Sequence, residues 1–326
     1  MDKPEIVSGV YLPNEVSQSK LKRYEMCPKL TYYQDVIRKR DGREPVTAAL
    51  PMGSVFHEAV EVFHETIRKG FEPDMDVLMN LIQKSWKEQY DSYVTPHNLD
   101  HARDVGSDGS MGYDWRVARR GTPLSEIPGS HERAVKNIQW WFECYVEAYN
   151  NGDLGIMDNI SVGCEIDYRR ELDHLGIVLR GKVDVVFNNK HLGDWKTANP
   201  NPQWNWSQDR ADGEVQASYY AALMNEDEVE FSYIVIDKQV HPDFARGKKG
   251  PQKCTVKVIT TKRTRADIQE VVERLEQFVM MTDMRNGYKE GIFPRRPKPM
   301  GEIFCDNFCD YKTHCHSELM KERSES

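Results

Sequence analysis

The sequence predicts an α/β fold of the α+β kind, with a mixed central sheet and helices on its faces. Two observations predict it. Apolar residues recur at helical spacing in the segments 53–70, 76–92 and 131–149. Beyond these, the chain changes to short runs that alternate or are rich in β-branched residues, with turn signals between them. We therefore expect a helical insertion at 71–150 and a sheet core at 161–260.

The helical elements follow one another from the N-terminus. Residues 17–40 are rich in aromatic and basic side chains, and this segment is expected to be helical. The segment 53–70 should end at Gly70, and its apolar stripe consists of Val55, Phe56, Ala59, Val60, Phe63 and Ile67. After the helix at 76–92, residues 94–130 are polar, Gly-rich and aperiodic, which predicts a long loop. The helix at 131–149 is rich in aromatic residues.

Three consecutive strands are expected after the helices. Their segments read SVGCEIDYRREL, GIVLRGKVDVVF and HLGDWKT. Turn signals at Asp173-His174 and Asn188-Asn189 separate the segments, so we expect two hairpins. The later elements are a helix at 213–224, strands at 231–237 and 254–260, and a long helix from Thr264 to about Asn286-Gly287. Asp267 lies three residues after Thr264, as in a capping box.

The composition is typical of a soluble globular protein. The chain has 326 residues, of which 29% are charged and 39% hydrophobic, and it is long enough for one large domain or two small ones. No apolar run is long enough for a membrane span, and the first residues lack the apolar core of a signal peptide. We therefore expect a cytoplasmic protein with no membrane partner.

The charge distribution permits nucleic acid as a partner without requiring it. A net charge of −8 argues mildly against nucleic acid. The basic residues are clustered, however, and local clusters can build a phosphate-binding groove on an acidic body. Arg23, Lys248 and Lys249 are candidates from these clusters. For any one cluster the alternative is ordinary solvated surface.

Two acids and a lysine are the candidates for chemistry on the predicted sheet. Asp194 and Lys196 share a face because they lie two residues apart on one strand, and Asp184 can join them from the adjacent strand. Ionised groups on an apolar sheet are costly unless they are paired or hold a cation. Carboxylate oxygens suit Mg²⁺ or Mn²⁺. The alternative is an Asp–Lys surface pair on an edge strand.

Four short motifs occur in a set order along the chain. They are G-x-x-x-H at Gly53 to His57, the aspartate of GKVDVVF at Asp184, D-x-K at Asp194 to Lys196, and Q-x-x-x-Y at Gln216 to Tyr220. This order resembles the RecB-like branch of the PD-(D/E)XK nucleases, which includes CRISPR-associated nucleases and AddB-type iron–sulfur nucleases. The resemblance implies a restriction-endonuclease-like fold within one RecB-like nuclease domain over residues 1–326.

The resemblance also implies the roles of the site residues. The ligands of Mg²⁺ or Mn²⁺ would be His57, Asp184, Asp194 and the main-chain carbonyl of Trp195. Asp184 and Asp194 would also be catalytic together with Lys196, while Gln216 and Tyr220 would line the substrate path. The implied activity is that of a DNA exonuclease acting on single-stranded DNA or duplex ends in recombination, repair or phage DNA metabolism. A recombination or helicase partner would fit this activity, in a prokaryotic or phage-infected cell.

The cysteines suggest a second metal centre. The chain has seven cysteines, and SQSKLKRYEMCPKLTYY around Cys27 resembles an N-terminal segment of the iron–sulfur members. Cys305, Cys309 and Cys315 lie close together near the C-terminus. The resemblance implies a [4Fe–4S] cluster on these four thiolates, which would tie 1–35 to 300–320 as an iron–sulfur staple. The alternative is structural Zn²⁺ on four cysteines, or on three with His314 or His316.

Two tryptophans between Lys196 and Gln216 are candidates for base stacking. Trp204 and Trp206 lie in a polar, proline-containing segment and are expected to be exposed, with core packing of a loop as the alternative. Two rival functions also stay open at this point. One is a catalytically silent scaffold that binds DNA ends with the same fold, and the other is a zinc-binding adaptor.

Overall fold

The structure confirms the mixed α/β fold. It is a computed structural model that describes residues 5–6, 14–37, 49–93, 130–188, 190–199, 205–244, 252–288, 291–295, 315, 317, 318, 320, 321 and 324. The helices are α1 (Gln18–Met26), α2 (Pro28–Tyr32), α3 (Ala49–Arg68), α4 (Met75–Tyr93), α5 (Ser130–Asn150), α6 (Gln208–Gly213), α7 (Val215–Met224) and α8 (Arg265–Thr282). The strands are β1 (Glu5–Ile6), β2 (Glu15–Val16), β3 (Gly163–Leu172), β4 (Ile177–Asn188), β5 (His191–Ala198), β6 (Val229–Asp237) and β7 (Val256–Arg263).

One mixed sheet holds these strands together. Its order is β1-β3-β4-β5-β6-β7, with β2 paired to β4. Strands β3, β4 and β5 form the two predicted hairpins and pair antiparallel, whereas β5 and β6 pair in parallel through the crossover that contains α6 and α7. The two-residue strands β1 and β2 were not predicted, because two residues cannot show an alternating pattern.

Helices cover both faces of this sheet. On one face, α7 and α8 pack on residues such as Leu179, Val183 and Phe231. On the other face, α3 and α5 pack on residues that include Val185 and Trp195, and α4 packs on these two helices. Side chains alternate between these faces along a strand. Asp194 and Lys196 therefore face α7, while Trp195 between them faces α3 and α5.

Several predicted boundaries differ from the observed ones. The predicted helix at 213–224 corresponds to α7, which begins at Val215 after Glu214 in extended backbone, whereas the short helix α6 before it was not predicted. The capping box of Thr264 and Asp267 is confirmed, but α8 ends at Thr282, where Asp283 adopts a left-handed conformation. The predicted loop at 94–130 falls, except for its last residue, outside the described residues. None of the described helices has the length and apolar character needed to cross a membrane.

Candidate metal-binding site between two diverging strands

The site forms where strands β4 and β5 separate. Their ladder runs from Asn188↔His191 to Val185↔Gly193 and ends there. The next residues on each strand are Asp184 and Asp194. Instead of continuing the ladder, the main-chain N–H of Trp195 donates a hydrogen bond to Asp184 Oδ2 at 3.0 Å. The two aspartates therefore lie at the mouth of a gap in the sheet, which the sequence does not predict.

Helix α3 brings His57 to Asp184. His57 Nδ1 lies 3.4 Å from Asp184 Oδ2, and the ring meets the Trp195 indole edge-on with the centroids 6.1 Å apart. Burial lowers the pKa of His57, although the negative charges of Asp194 and Glu165 oppose this shift. Burial raises the pKa of Asp184, and repulsion from Asp194 and Glu165 raises it further. A bound cation would relieve this concentration of negative charge.

Glu165 is a site residue that the sequence analysis missed. It lies on β3, where the pairs Cys164↔Val185 and Ile166↔Val183 place it opposite Asp184. One ligand atom each from His57, Glu165 and Asp184 lie within 4.8 Å of one another. Glu165 also has φ 54°, a left-handed conformation that is uncommon for a residue other than glycine and often marks a functional position. The turn at Asp173-His174 could have revealed it, because a hairpin register pairs an acid on β3 with Asp184.

Asp194 and Lys196 form an ion pair beside this group. Asp194 Oδ1 accepts a hydrogen bond from Gln216 Nε2 at 2.6 Å, and its Oδ2 lies 2.5 Å from Lys196 Nζ. This buried Oδ2 accepts no hydrogen bond of good geometry, so the contact with Lys196 is electrostatic. Burial acts to lower the pKa of Lys196, but the charges of Asp194 and Asp184 outweigh it and raise the pKa. Lys196 is therefore held as an ammonium ion.

Helix α7 closes the site from the other side. Tyr220 lies one turn after Gln216 and donates a hydrogen bond from its hydroxyl to the carbonyl of Lys182 at 2.7 Å. The Tyr220 ring approaches the β4 backbone closely at Gly181, where an added Cβ would lie 2.6 Å from the ring. Gln216 and Tyr220 are both buried. Their observed contacts are with Asp194 and Lys182, and a contact with substrate stays a prediction.

The donor set fits a divalent cation. Two carboxylates and an imidazole converge, and the Trp195 carbonyl stays a predicted ligand. The side chains of His57 and Lys196 are 26% and 27% exposed, so the site is open to solvent and to a substrate. Asp194 is outside the group of His57, Glu165 and Asp184, and its oxygens contact Gln216 and Lys196. Its role as a ligand stays a prediction.

The structure corrects the expectation that Trp206 is exposed. Its side chain is buried and packs against Tyr233 with the ring centroids 4.5 Å apart. The guanidinium of Arg210 lies 4.5 Å from the Trp206 ring centroid and the ammonium of Lys196 lies 5.9 Å from it, so no free face is left for a base. Arg23 on α1 contacts Asp35 at 3.5 Å. Trp204, Lys248 and Lys249 lie outside the described residues.

The described parts of the two termini meet. Cys27, between α1 and α2, belongs to a small apolar cluster with Leu30 and Tyr33, and Cys315 packs against this cluster. The Tyr33 hydroxyl, directly after α2, donates a hydrogen bond to Glu318 at 2.7 Å. This bond links the N-terminal helices to Glu318 near the C-terminus. Cys305 and Cys309 lie outside the described residues, as do His314 and His316. Cys315 thus lies against the cluster that contains Cys27, and both the expected staple and its metal stay predictions.

Comparisons with known proteins agree with this fold. The family model described as the PD-(D/E)XK nuclease superfamily matches residues 15–316. A crystal structure of a protein from Eubacterium rectale, described as a “Putative exonuclease”, is similar in fold. It has a TM-score of 0.50 and 14% sequence identity over 94% of each chain. A search of the curated proteins found no match.

Proposed function

Because this chain belongs to the PD-(D/E)XK nuclease superfamily, we propose that it is a metal-dependent exonuclease that hydrolyses DNA from single-stranded or duplex ends. One observation carries this proposal. His57, Glu165 and Asp184 converge in the gap between β4 and β5, beside the ion pair of Asp194 and Lys196. The choice of DNA ends is supported by the resemblance to RecB-like nucleases. Recombination, repair or phage DNA metabolism would use such an activity.

The residues that would hold Mg²⁺ or Mn²⁺ are His57, Glu165 and Asp184. The Trp195 carbonyl and Asp194 are further candidate ligands. When bound, the ion supplies Lewis-acid polarisation of the phosphodiester. Lys196, kept as an ammonium ion by its neighbours, donates hydrogen bonds that orient the attacking water and stabilise the charge developing on the phosphate. Gln216 holds the Asp194 carboxylate against Lys196. The hydrogen bond from the Tyr220 hydroxyl to the Lys182 carbonyl joins α7 to β4.

End-labelled DNA tests this function directly. Linear single-stranded and duplex DNA, labelled at either the 5′ or the 3′ end, is incubated with the protein in Mg²⁺, Mn²⁺ or EDTA. Covalently closed circular DNA serves as the control without ends. We expect loss of label or progressive shortening of linear DNA only with metal, and intact circles. Absence of cleavage in both metals would refute nuclease activity, whereas equal cleavage of circles would refute the requirement for ends.

Glu165→Gln is expected to weaken metal binding. The change removes one negative charge from the ligand group and leaves an amide of similar shape, so Mn²⁺ affinity should fall by about tenfold or more. Glu171→Gln is the matched control, because Glu171 lies on the same strand, is exposed and pairs with Arg169. Calorimetric titration with Mn²⁺ measures both variants. Equal affinities for Glu165→Gln and Glu171→Gln would remove Glu165 from the ligand set.

We further propose that Cys27, Cys305, Cys309 and Cys315 bind a [4Fe–4S] cluster. The proposal is supported by the packing of Cys315 against the cluster of Cys27, Leu30 and Tyr33. Anaerobically purified protein should be brown, contain four irons and four sulfides per chain at full occupancy, and bleach with dithionite. Cys315→Ala should lose the iron, whereas Cys144→Ala, a buried cysteine on α5, should keep it. Colourless protein with stoichiometric zinc would favour the zinc alternative instead.

A further inference from the structure

Trp195 connects the groups of the candidate metal site. Its N–H donates to Asp184 Oδ2 at 3.0 Å, and its indole meets the His57 ring edge-on. Trp195 also separates Asp194 from Lys196 on β5. A small shift of this one residue would therefore move two ligand contacts and the ion pair together. What holds Trp195 in place thus determines the geometry of the site.

The Trp195 indole is held by a buried hydrogen-bond chain. Its Nε1–H lies 3.2 Å from the Tyr145 hydroxyl, which lies 2.7 Å from His64 Nε2. All three side chains are at most 2% exposed. An apolar core would need none of these polar groups, and each would be costly if it lost its partner. These hydrogen-bonded side chains lie on the face of the sheet opposite the ion pair of Asp194 and Lys196.

The direction of the first hydrogen bond follows from the chemistry of the groups. An indole N–H is only a donor, so the Tyr145 oxygen accepts from Trp195. The Tyr145 hydroxyl can donate to His64 Nε2 or accept from it, according to the tautomer of the imidazole. In both arrangements the three side chains are linked by hydrogen bonds that orient the indole.

Helix α3 holds Trp195 at two points. His57 and His64 are seven residues apart, so they lie on the same side of the helix. The His64 ring stacks on the indole with an interplanar angle of 14°, and the His57 ring meets it edge-on, each at 6.1 Å between centroids. Tyr145 comes from α5. Residues of α3 and α5 thus hold Trp195 in place beside the candidate metal ligands.

From this arrangement we propose that Tyr145 and His64 are positioning residues of the nuclease site. They hold Trp195 so that its N–H and its indole keep Asp184 and His57 in the geometry that binds the metal. The inference rests on the proposed function and adds two residues that lie outside every motif matched in the sequence. Neither residue belongs to the group of His57, Glu165 and Asp184, so both would act through Trp195.

Tyr145→Phe tests the role of the hydroxyl, with Tyr149→Phe as its matched control. Tyr149 lies one turn further along α5, and its hydroxyl donates to Asp158 at 2.8 Å, in an exposed position. We expect Tyr145→Phe to raise the Kd for Mn²⁺ by about tenfold or more, as the loss of supporting hydrogen bonds does at other metal sites. Tyr149→Phe should stay within about twofold of wild type by the same comparison. Calorimetric Mn²⁺ titration of folded protein gives the Kd, and a thermal melt in EDTA gives stability.

A pair of His64 variants keeps the inference falsifiable if Tyr145→Phe does not fold. His64→Gln retains a hydrogen-bond partner for the Tyr145 hydroxyl, whereas His64→Leu removes it, so Mn²⁺ affinity should be better preserved in His64→Gln. If the variants melt at a lower temperature but bind Mn²⁺ as wild type does, the hydrogen bonds among Trp195, Tyr145 and His64 contribute only to core stability. That result would overturn this inference and leave the proposed function untouched. Wild-type protein that neither binds Mn²⁺ nor cleaves DNA would overturn the proposed function, and this inference with it.

Discussion

Lys196→Met is expected to lower the rate of DNA cleavage by about 10²- to 10⁴-fold, the range typical for loss of a positioned group that acts on the reacting proton or charge. Methionine keeps the aliphatic length of the side chain but removes the ammonium ion. The Asp194 carboxylate, whose Oδ2 lies 2.5 Å from Lys196 Nζ, then lacks its counter-charge in a buried position. Both the charge offered to the phosphate and the placement of Asp194 are lost.

Lys262→Met is the matched control for this change. Lys262 lies on β7, is largely exposed and pairs with Glu230 at 2.9 Å. Rates are measured on end-labelled DNA at saturating Mn²⁺ and corrected for the folded fraction by circular dichroism. If Lys196→Met cleaves DNA as fast as Lys262→Met does, Lys196 has no catalytic role and the D-x-K motif is an ordinary ion pair.

Arg180→Met is expected to lower the free energy of unfolding by about 3–5 kcal/mol, the typical cost of removing one partner from a buried ion pair. The Arg180 side chain is 4% exposed. Its Nε and Nη2 donate to Asp167, with the shortest contact at 2.6 Å, and its Nη1 donates to Glu15 at 3.1 Å. Glu15 on β2 is itself buried, so its carboxylate would lose a buried partner. Arg169 at 3.5 Å would partly compensate.

Arg274→Met on α8 provides the comparison. Arg274 forms ion pairs with Glu270 at 2.6 Å and Glu25 at 3.6 Å, but these groups are exposed and should contribute only about 0–1 kcal/mol. Urea denaturation with a constant m-value gives both free energies. A loss below about 1 kcal/mol in Arg180→Met would mean that Glu15 and Asp167 find water or other donors, and that β2 does not depend on this arginine.

Much of the fold is predictable because local patterns specify it. The hairpins of β3, β4 and β5 follow from β-branched runs between turn signals, and the start of α8 follows from Thr264 and Asp267. The convergence of Asp184 with Asp194 follows from side-chain alternation once the two strands are neighbours. The end of the ladder at Val185↔Gly193, which opens the site, depends on tertiary packing and has no local signal.

The residues that escaped prediction depend on contacts between distant segments. Glu165 looks like any acid on a partly exposed strand until the hairpin register places it opposite Asp184. Tyr145 belongs to an aromatic helix whose pattern indicates core packing, and only the fold brings its hydroxyl to Trp195. Trp206 was expected to be exposed because its segment is polar, but the neighbouring Tyr233 and Arg210 cover it. A one-dimensional pattern does not contain these contacts.

The three groups that converge at the gap in the sheet come from distant parts of the polypeptide. His57 belongs to α3, whereas Glu165 and Asp184 belong to a hairpin that is synthesised more than a hundred residues later. A nascent chain can therefore assemble this group only after the hairpin has emerged from the ribosome and docked on the helix. Nascent chains that end before Asp184 would therefore lack the ligand group on which the proposed activity depends.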